Sequence, residues 1–417
     1  MKLCAALVTA ATLLLPVTGR DDGRFWVDGS GRPTSHAREA LALLAGAGGD
    51  GLDPEDYGAT HLQRVAATLD TAAPPLAVGS EFDRQLTVAM AKYLRELHEG
   101  RVDPRALGFR MNVTPDDHNF EAVIGQAVAA NRLAATIEEF TPQLALYRNL
   151  RHALRQYREG PPPELPPGVS LSARVRQIEL ALERLRWLPH LEGERFIGIN
   201  IPMFRLWAWD ATRAGGKASF QTDVIVGRAL NTRTPVFVEE MEHVVFRPYW
   251  NVPSSIVRNE ILPAMSRQPD YLRRHNMEIV SAPGAPIRIR QRPGASNALG
   301  LVKFVFPNDD GVYLHGTPAP ALFARARRDL SHGCVRAQDP VGLAEWVLAD
   351  RPEWTRERIL AAMHGEETLR VELSRPIRVI LFYLTAVVTP EDGLVHFVND
   401  IYGHDARLDR MLRSGHD

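Results

Sequence analysis

The sequence predicts an α+β multidomain chain: a helical N-terminal domain, then a mostly β C-terminal domain interrupted by an inserted subdomain. Three observations predict it. Apolar residues recur at helical spacing up to about residue 160, short β-branched and aromatic runs dominate beyond about residue 195, and a proline-rich stretch separates the two. A chain of 417 residues has room for two or three cores, and its formal net charge of −1 gives no sign of a nucleic-acid partner.

In chain order, "MKLCAALVTAATLLLPVTGR" predicts a signal peptide over residues 1–19. Lys2 is the charged start, Leu3 to Val17 the apolar stretch, and Val17 and Gly19 suit the cleavage positions. Cleavage would remove Cys4 and leave Cys334 as the single cysteine; without cleavage the segment would tether the chain to the inner membrane. An unpaired thiol in an oxidising compartment calls for burial or use.

Residues 20–160 are expected to form a helical scaffold domain. Ser80 with Asp83 resembles a capping box, Leu86, Met90, Leu94 and Leu97 form the apolar stripe, and Gly100 ends the helix. The "AGAGGDG" segment lacks the Gly-Lys-Ser/Thr of a phosphate loop, and the aspartate-rich connectors lack the alternating ligands of a calcium loop. Residues 161–194 are a proline-rich linker and a connecting helix from about 172 to 188, with Val175, Ile178, Leu182 and Leu185 on one face.

Strands follow over residues 195–390. "RFIGINIPMFRLWAW" pairs with "SFQTDVIVG" across the turn "DATRAGGK", and the β-branched run Val379 to Val388 is a buried strand. Residues 254–300, part helical and part Pro/Gly-rich, interrupt these strands. A last strand and helix occupy 391–417.

The chemistry concentrates at "RDLSHGCVRAQ". A thiol attacks only as thiolate, so Cys334 needs a base or a cation nearby. His332 lies two residues before it, and His315 lies at the strand end "YLHG", nineteen residues upstream. Gly333 permits a tight turn, with amides that would bind an oxyanion. A lone cysteine ordinarily packs as a small apolar group, but its combination with Ser-His-Gly, an upstream His-Gly and no second mature cysteine points to a nucleophile. A zinc site through His315, His332 and Cys334 would lack the usual ligand spacing. Arg325, Arg327 and Arg328 are expected on a solvated helix face, and Arg336 is placed to meet a carboxylate or brace the loop.

"YLHGTP" followed by "SHGCVR" resembles the signature of the L,D-transpeptidase (YkuD-type) catalytic domain. "SARVRQIELALERLRWLP", "NIPMFRL", "TPVF", "FRPYWNVPSSI" and "DIYGHDARL" are similar to its large, YcbB-like periplasmic subgroup. The resemblance implies that Cys334 is the nucleophile, His315 the general base, and the Gly316 carbonyl the group that orients the imidazole. It implies that Tyr313, His332 and Gly333 line the oxyanion and acyl region, that Arg336, Tyr249 and Trp250 meet substrate, and that the 254–300 insert caps the groove. The implied partners are peptidoglycan stem peptides, a tetrapeptide donor and a diamino-acid acceptor, joined by a 3→3 cross-link with release of D-Ala. No metal or organic cofactor is implied, the compartment is the periplasm, and carbapenems would acylate the cysteine. One departure stands out: residues 151–170 leave no room for the small peptidoglycan-binding domain common in that subgroup. Two other readings stay open. One is an L,D-carboxypeptidase or cysteine peptidase acting on wall peptides, for which His396 and His404 lie downstream; the other is a non-catalytic wall-binding scaffold.

Overall fold

The computed structural model describes residues 24–71, 75–111, 117–161, 164–189, 191, 193–210, 218–229, 232–282, 284–389 and 392–414. The expected signal peptide and most of the "DATRAGGK" turn lie outside the described residues. The chain divides into two compact units, Met1–Glu99 with Pro115–Pro142, and Gly100–Thr114 with Gln143–Asp417.

The first unit is helical: α1 (Ser35–Ala45), α2 (Ala59–Thr71), α3 (Leu76–Glu99), α4 (Phe120–Ala129) and α5 (Leu133–Phe140). The predicted stripe of α3 is its core face, with Leu86, Met90, Leu94 and Leu97 fully buried. Its start differs from the expectation. The helix begins at Leu76, so Ser80 lies inside it, and the Asp83 carboxylate accepts the N–H groups of Phe25 (3.0 Å) and Trp26 (2.6 Å). A buried carboxylate takes whatever donors tertiary folding brings to it.

The second unit opens with α6 (Ala145–Glu159) and α7 (Leu171–Arg186), which pack on each other. The sequence pattern places α6 in the helical domain. Its buried stripe of Tyr147, Leu150, Ala153 and Leu154 instead joins the core of the second unit, together with Ile178, Leu182 and Leu185 of α7.

The strands of this unit are β1 (Phe196–Asn200), β2 (Arg205–Trp209), β3 (Phe220–Gly227), β4 (Phe237–Phe246), β5 (Trp250–Asn251), β6 (Met277–Ile279), β7 (Ile289–Gln291), β8 (Val302–Val305), β9 (Leu314–His315), β10 (Asp329–Ser331), β11 (Val335–Ala337), β12 (Leu369–Phe382), β13 (Ala386–Val388) and β14 (Val395–Phe397). The segment expected as one strand at 195–209 is the hairpin of β1 and β2, turned at a left-handed Phe204 (φ 56°). The main sheet runs β10-β3-β11-β9-β8-β4-β12-β1-β2, and a further pairing of β2 with β3 closes it into a barrel. Closure leaves few unpaired edges.

Between β4 and β8 the insert forms an irregular helical run from Ser254 to Arg267, a short helix, and a separate three-stranded sheet, β5-β7-β6. Val252, Val257, Ile261 and Ile289 make its small core, against which Trp250 packs. Two buried amides at its base are satisfied by backbone. Asn297 donates to the carbonyls of Pro248 and Arg292, and Gln291 donates to those of His275 and Ser296.

The C-terminal helix (His404–Ser414) packs on α7 through a buried ion pair. Arg184 of α7 donates to Asp405 at 2.5 Å, and Asp405 also accepts from the Thr385 hydroxyl. Removing one member of such a pair strands the other charge in the core. Asp405→Ala is therefore expected to destabilise the second unit by about 3–5 kcal/mol, and Asp405→Asn by less; denaturant unfolding followed by circular dichroism would check both.

Candidate functional site

Strand register builds the site. Lys303 of β8 stands opposite His315 of β9, and His315 stands opposite Arg336 of β11. Cross-strand partners share one face of a sheet. The three basic side chains thus form one row. The adjoining row holds Tyr313 and Cys334, each two residues before a member of the first, because alternate residues of a strand return to the same face. The opposite face is core: Val302, Phe304, Leu314, Val335 and Ala337 are fully buried. Period-two alternation thus sends the apolar residues inward and aims the reactive ones at the groove.

The turn from β10 to β11 presents the thiol. Gly333 has φ 114°, a conformation that other residues rarely adopt. The Ser331 hydroxyl donates to the Cys334 carbonyl (2.6 Å) and accepts the Gly333 N–H (3.2 Å). This corrects one expectation: the Gly333 amide is engaged inside the turn and is not free for an oxyanion. The Gly333 carbonyl accepts from the hydroxyl of Thr234 (2.7 Å), which itself accepts the Gly227 N–H (2.8 Å). Tyr402 completes the brace, donating to the Gly227 carbonyl (2.5 Å) and accepting the Thr234 N–H (3.2 Å).

Cys334 is partly buried and unpaired, and its sulfur lies 3.9 Å from the Gly311 carbonyl oxygen. Burial pushes its thiol up. The N–H and hydroxyl of Tyr313 and the charges of Lys303 and Arg336 pull the other way. Burial also raises the Tyr313 hydroxyl, and the nearby sulfur raises it further. The His315 ring centroid is 5.6 Å from that of Tyr313. Burial holds His315 down to about 3, the Arg336 charge adding to the effect. The backbone of Gly316 and Leu299 favours the protonated ring, but nothing closes a hydrogen bond of good geometry on Nδ1. At neutral pH the imidazole is therefore uncharged, as is the thiol in the adjoining row.

The other expected site residues divide. Trp250 packs against the small core of the insert, while Tyr249 faces outward, 40% exposed, with the Arg290 guanidinium 4.3 Å from its ring centre. His332 turns from the sulfur to the insert, where its Nε2 is 2.8 Å from Glu260. Arg336 is half-buried, and its Nε has no partner. Arg327 pairs with Asp329, and Arg328 with Asp223, in an extended segment and not on a helix. His396 pairs with Asp392, and the His404 ring packs among Tyr383, Tyr402 and Phe109, so neither faces Cys334. Among the described residues, no three His, Cys, Asp or Glu side chains converge as metal ligands. Sequence reasoning does not single out Lys303, nor Thr234 and Tyr402 as braces. The alternation in "LVKFVF", with a lysine in an otherwise apolar strand, is the signal that would have found the first.

Comparison with known proteins agrees with this architecture. The family described as scaffold domain matches residues 18–154, and the family described as L,D-transpeptidase catalytic domain matches residues 194–366. A Haemophilus influenzae protein, provisionally named an L,D-transpeptidase, is 31% identical over 298 residues. The match covers 68% of this chain and 57% of that protein's length.

Thr234→Val would leave the Gly333 carbonyl and the Gly227 N–H unpaired in a buried turn, at a cost of about 1–3 kcal/mol. Its expected effects are a lowered melting temperature and slower modification of Cys334 by thiol reagents, both read on the purified protein.

Proposed function

The chain belongs to the family of the L,D-transpeptidase (YkuD-type) catalytic domain, and from that premise we propose that it is a periplasmic, YcbB-like peptidoglycan L,D-transpeptidase forming 3→3 cross-links through a thioester on Cys334. The observation that carries the reading is the row arrangement, with a thiol, a tyrosine hydroxyl and a neutral buried histidine on one face of the barrel, beside two basic side chains.

The donor is a tetrapeptide stem ending in a diamino acid and D-Ala. The Cys334 sulfur forms a bond to the diamino-acid carbonyl as its proton passes to the His315 ring. The carbonyl electron pair moves onto oxygen, and a single good donor to that oxyanion is worth roughly 3–4 kcal/mol. With the Gly333 amide held in the turn, the Tyr313 hydroxyl is the side-chain donor aimed at this region. Collapse of the intermediate breaks the C–N bond, and the proton on His315 goes to the departing D-Ala amine. The side-chain amine of a neighbouring diamino acid then attacks the thioester, gives its proton to His315 and restores the thiol. The Gly316 backbone favours the protonated ring, but with Nδ1 unpartnered it does not hold the imidazole by a hydrogen bond in this structure, contrary to the expected orienting role.

The insert closes over this face. Trp250 packs on its small core, and Glu260 holds His332. Stem peptides are rich in carboxylates, which suits the half-buried Arg336, with Tyr249 at the outer rim. Residues 1–19 support export to the periplasm.

Cys334→Ala should abolish product while leaving the melting transition in place. Wild-type and variant protein would be incubated with tetrapeptide-bearing wall fragments and with a carbapenem, then analysed by mass spectrometry. Expected are dimers that have lost D-Ala and a drug adduct on Cys334, in the wild type only. Cross-linking retained by the variant would sink the mechanism, and tripeptide monomers in place of dimers would make the enzyme a carboxypeptidase.

A further inference from the structure

Lys303 occupies an unusual position. Its side chain points from β8 to the same face as His315 and Arg336, in direct cross-strand succession. Two cations, Lys303 and Arg336, therefore flank the uncharged His315 on one face, and a basic side chain half-buried without a counter-ion is destabilising. Among the described residues no carboxylate pairs with Lys303 or Arg336. The chain therefore keeps an arrangement that folding alone disfavours. An anion on this face resolves the conflict, and the group at hand that becomes one is the thiol of Cys334.

The geometry supplies a route. The Lys303 ammonium sits 3.7 Å from the centre of the Tyr313 ring, close enough for a strong cation–π contact. A positive charge over a phenol ring draws electron density from the oxygen and makes its O–H a stronger donor. Tyr313 is the neighbour of Cys334 on the same face, the Val335 N–H donating to the Tyr313 carbonyl at 3.1 Å, and its N–H and hydroxyl both favour the sulfur anion. The influence runs both ways: burial lowers the ammonium of Lys303, and the nearby sulfur anion restores part of its charge.

We propose that Lys303 is a positioning residue for the reaction: through the Tyr313 hydroxyl and through its own charge it stabilises the sulfur anion of Cys334. The proposal rests on the reading of Cys334 as nucleophile. It assigns the initial support of the anion to a lysine two strands away, and leaves His315 to receive the proton as the sulfur attacks. Arg336, two residues beyond the thiol, adds its charge to that of Lys303 at the sulfur but makes no cation–π contact with the Tyr313 ring. On the insert side, Glu260 is paired with His332. In the turn carrying Gly311, Asp310 is tied to Arg110 and Asp309 lies in solvent. Beyond Lys303, on the next strand, His243 is held down by burial and by Arg370, with Glu372 and Glu242 opposing.

The test is the pH dependence of iodoacetamide alkylation at Cys334, followed on the full chain by mass analysis of the peptide containing it. Lys303→Met keeps the length of the side chain and removes its charge. It should move the alkylation midpoint up by about one pH unit, the low end of what a close opposite charge supplies. Alkylation near neutral pH should then be about tenfold slower. Lys303→Arg should restore a midpoint near the wild-type value. A midpoint unchanged in Lys303→Met, or displaced as far in Lys303→Arg as in Lys303→Met, would overturn the proposal.

Should Lys303→Met lack a cooperative melt, Tyr313→Phe provides an independent test. It keeps the ammonium and removes the relaying hydroxyl, so a partial upward shift is expected and no shift counts against the relay. Alkylation needs no wall substrate. An unshifted midpoint with Cys334→Ala inactive therefore defeats the lysine alone, whereas a shifted midpoint with Cys334→Ala still cross-linking defeats the nucleophile reading alone.

Discussion

The Thr234 hydroxyl accepts the N–H of Gly227 and donates its proton to the carbonyl of Gly333, and the placement of Cys334 depends on that exchange. A turn with φ 114° at its centre does not hold itself. Ser331 closes it from inside, and Tyr402, arriving from near the C-terminus, locks Thr234 from outside. Residues distant in sequence thus meet at one hydroxyl behind the thiol. The buried pair of Arg184 and Asp405 ties the helix that follows Tyr402 to α7.

Electrostatics at the site follows from which face of the sheet is dry. Burial disfavours every charged form, so it raises Cys334 and Tyr313 and lowers His315. Left alone, these shifts would make an inert thiol beside a usable base. Positive charge on the neighbouring strands opposes the first shift without protonating the base, because Lys303 and Arg336 both push the imidazole further toward neutrality. Cations placed in register thus favour the sulfur anion while keeping the imidazole neutral.

The insert is attached to the barrel at points that bear on this chemistry. Asn297 and Gln291 fix its base with fully satisfied buried amides, and Glu260 takes up His332. The histidine nearest the cysteine in sequence therefore turns to the insert, and the one nineteen residues upstream shares the sheet face of the sulfur.

Much of this was legible in the chain. Helical stripes such as Leu86 to Leu97, the alternation of the strands, the position of the insert and the pairing of "YLHG" with "SHGC" are local patterns, because periodicity and turn chemistry act over a few residues. What local pattern does not carry is partnership at long range. The α3 start moved because Asp83 found the N–H groups of Phe25 and Trp26, and α6 joined the second unit because its stripe matched α7. The Gly333 amide was lost to Ser331, and Lys303, Thr234 and Tyr402 acquired roles that only barrel closure and strand register create. The sequence by itself determined which residues are apolar, which can turn and which can react. The tertiary structure decided which of the reactive ones meet, since two strands must lie in register before a lysine, a histidine and an arginine become neighbours.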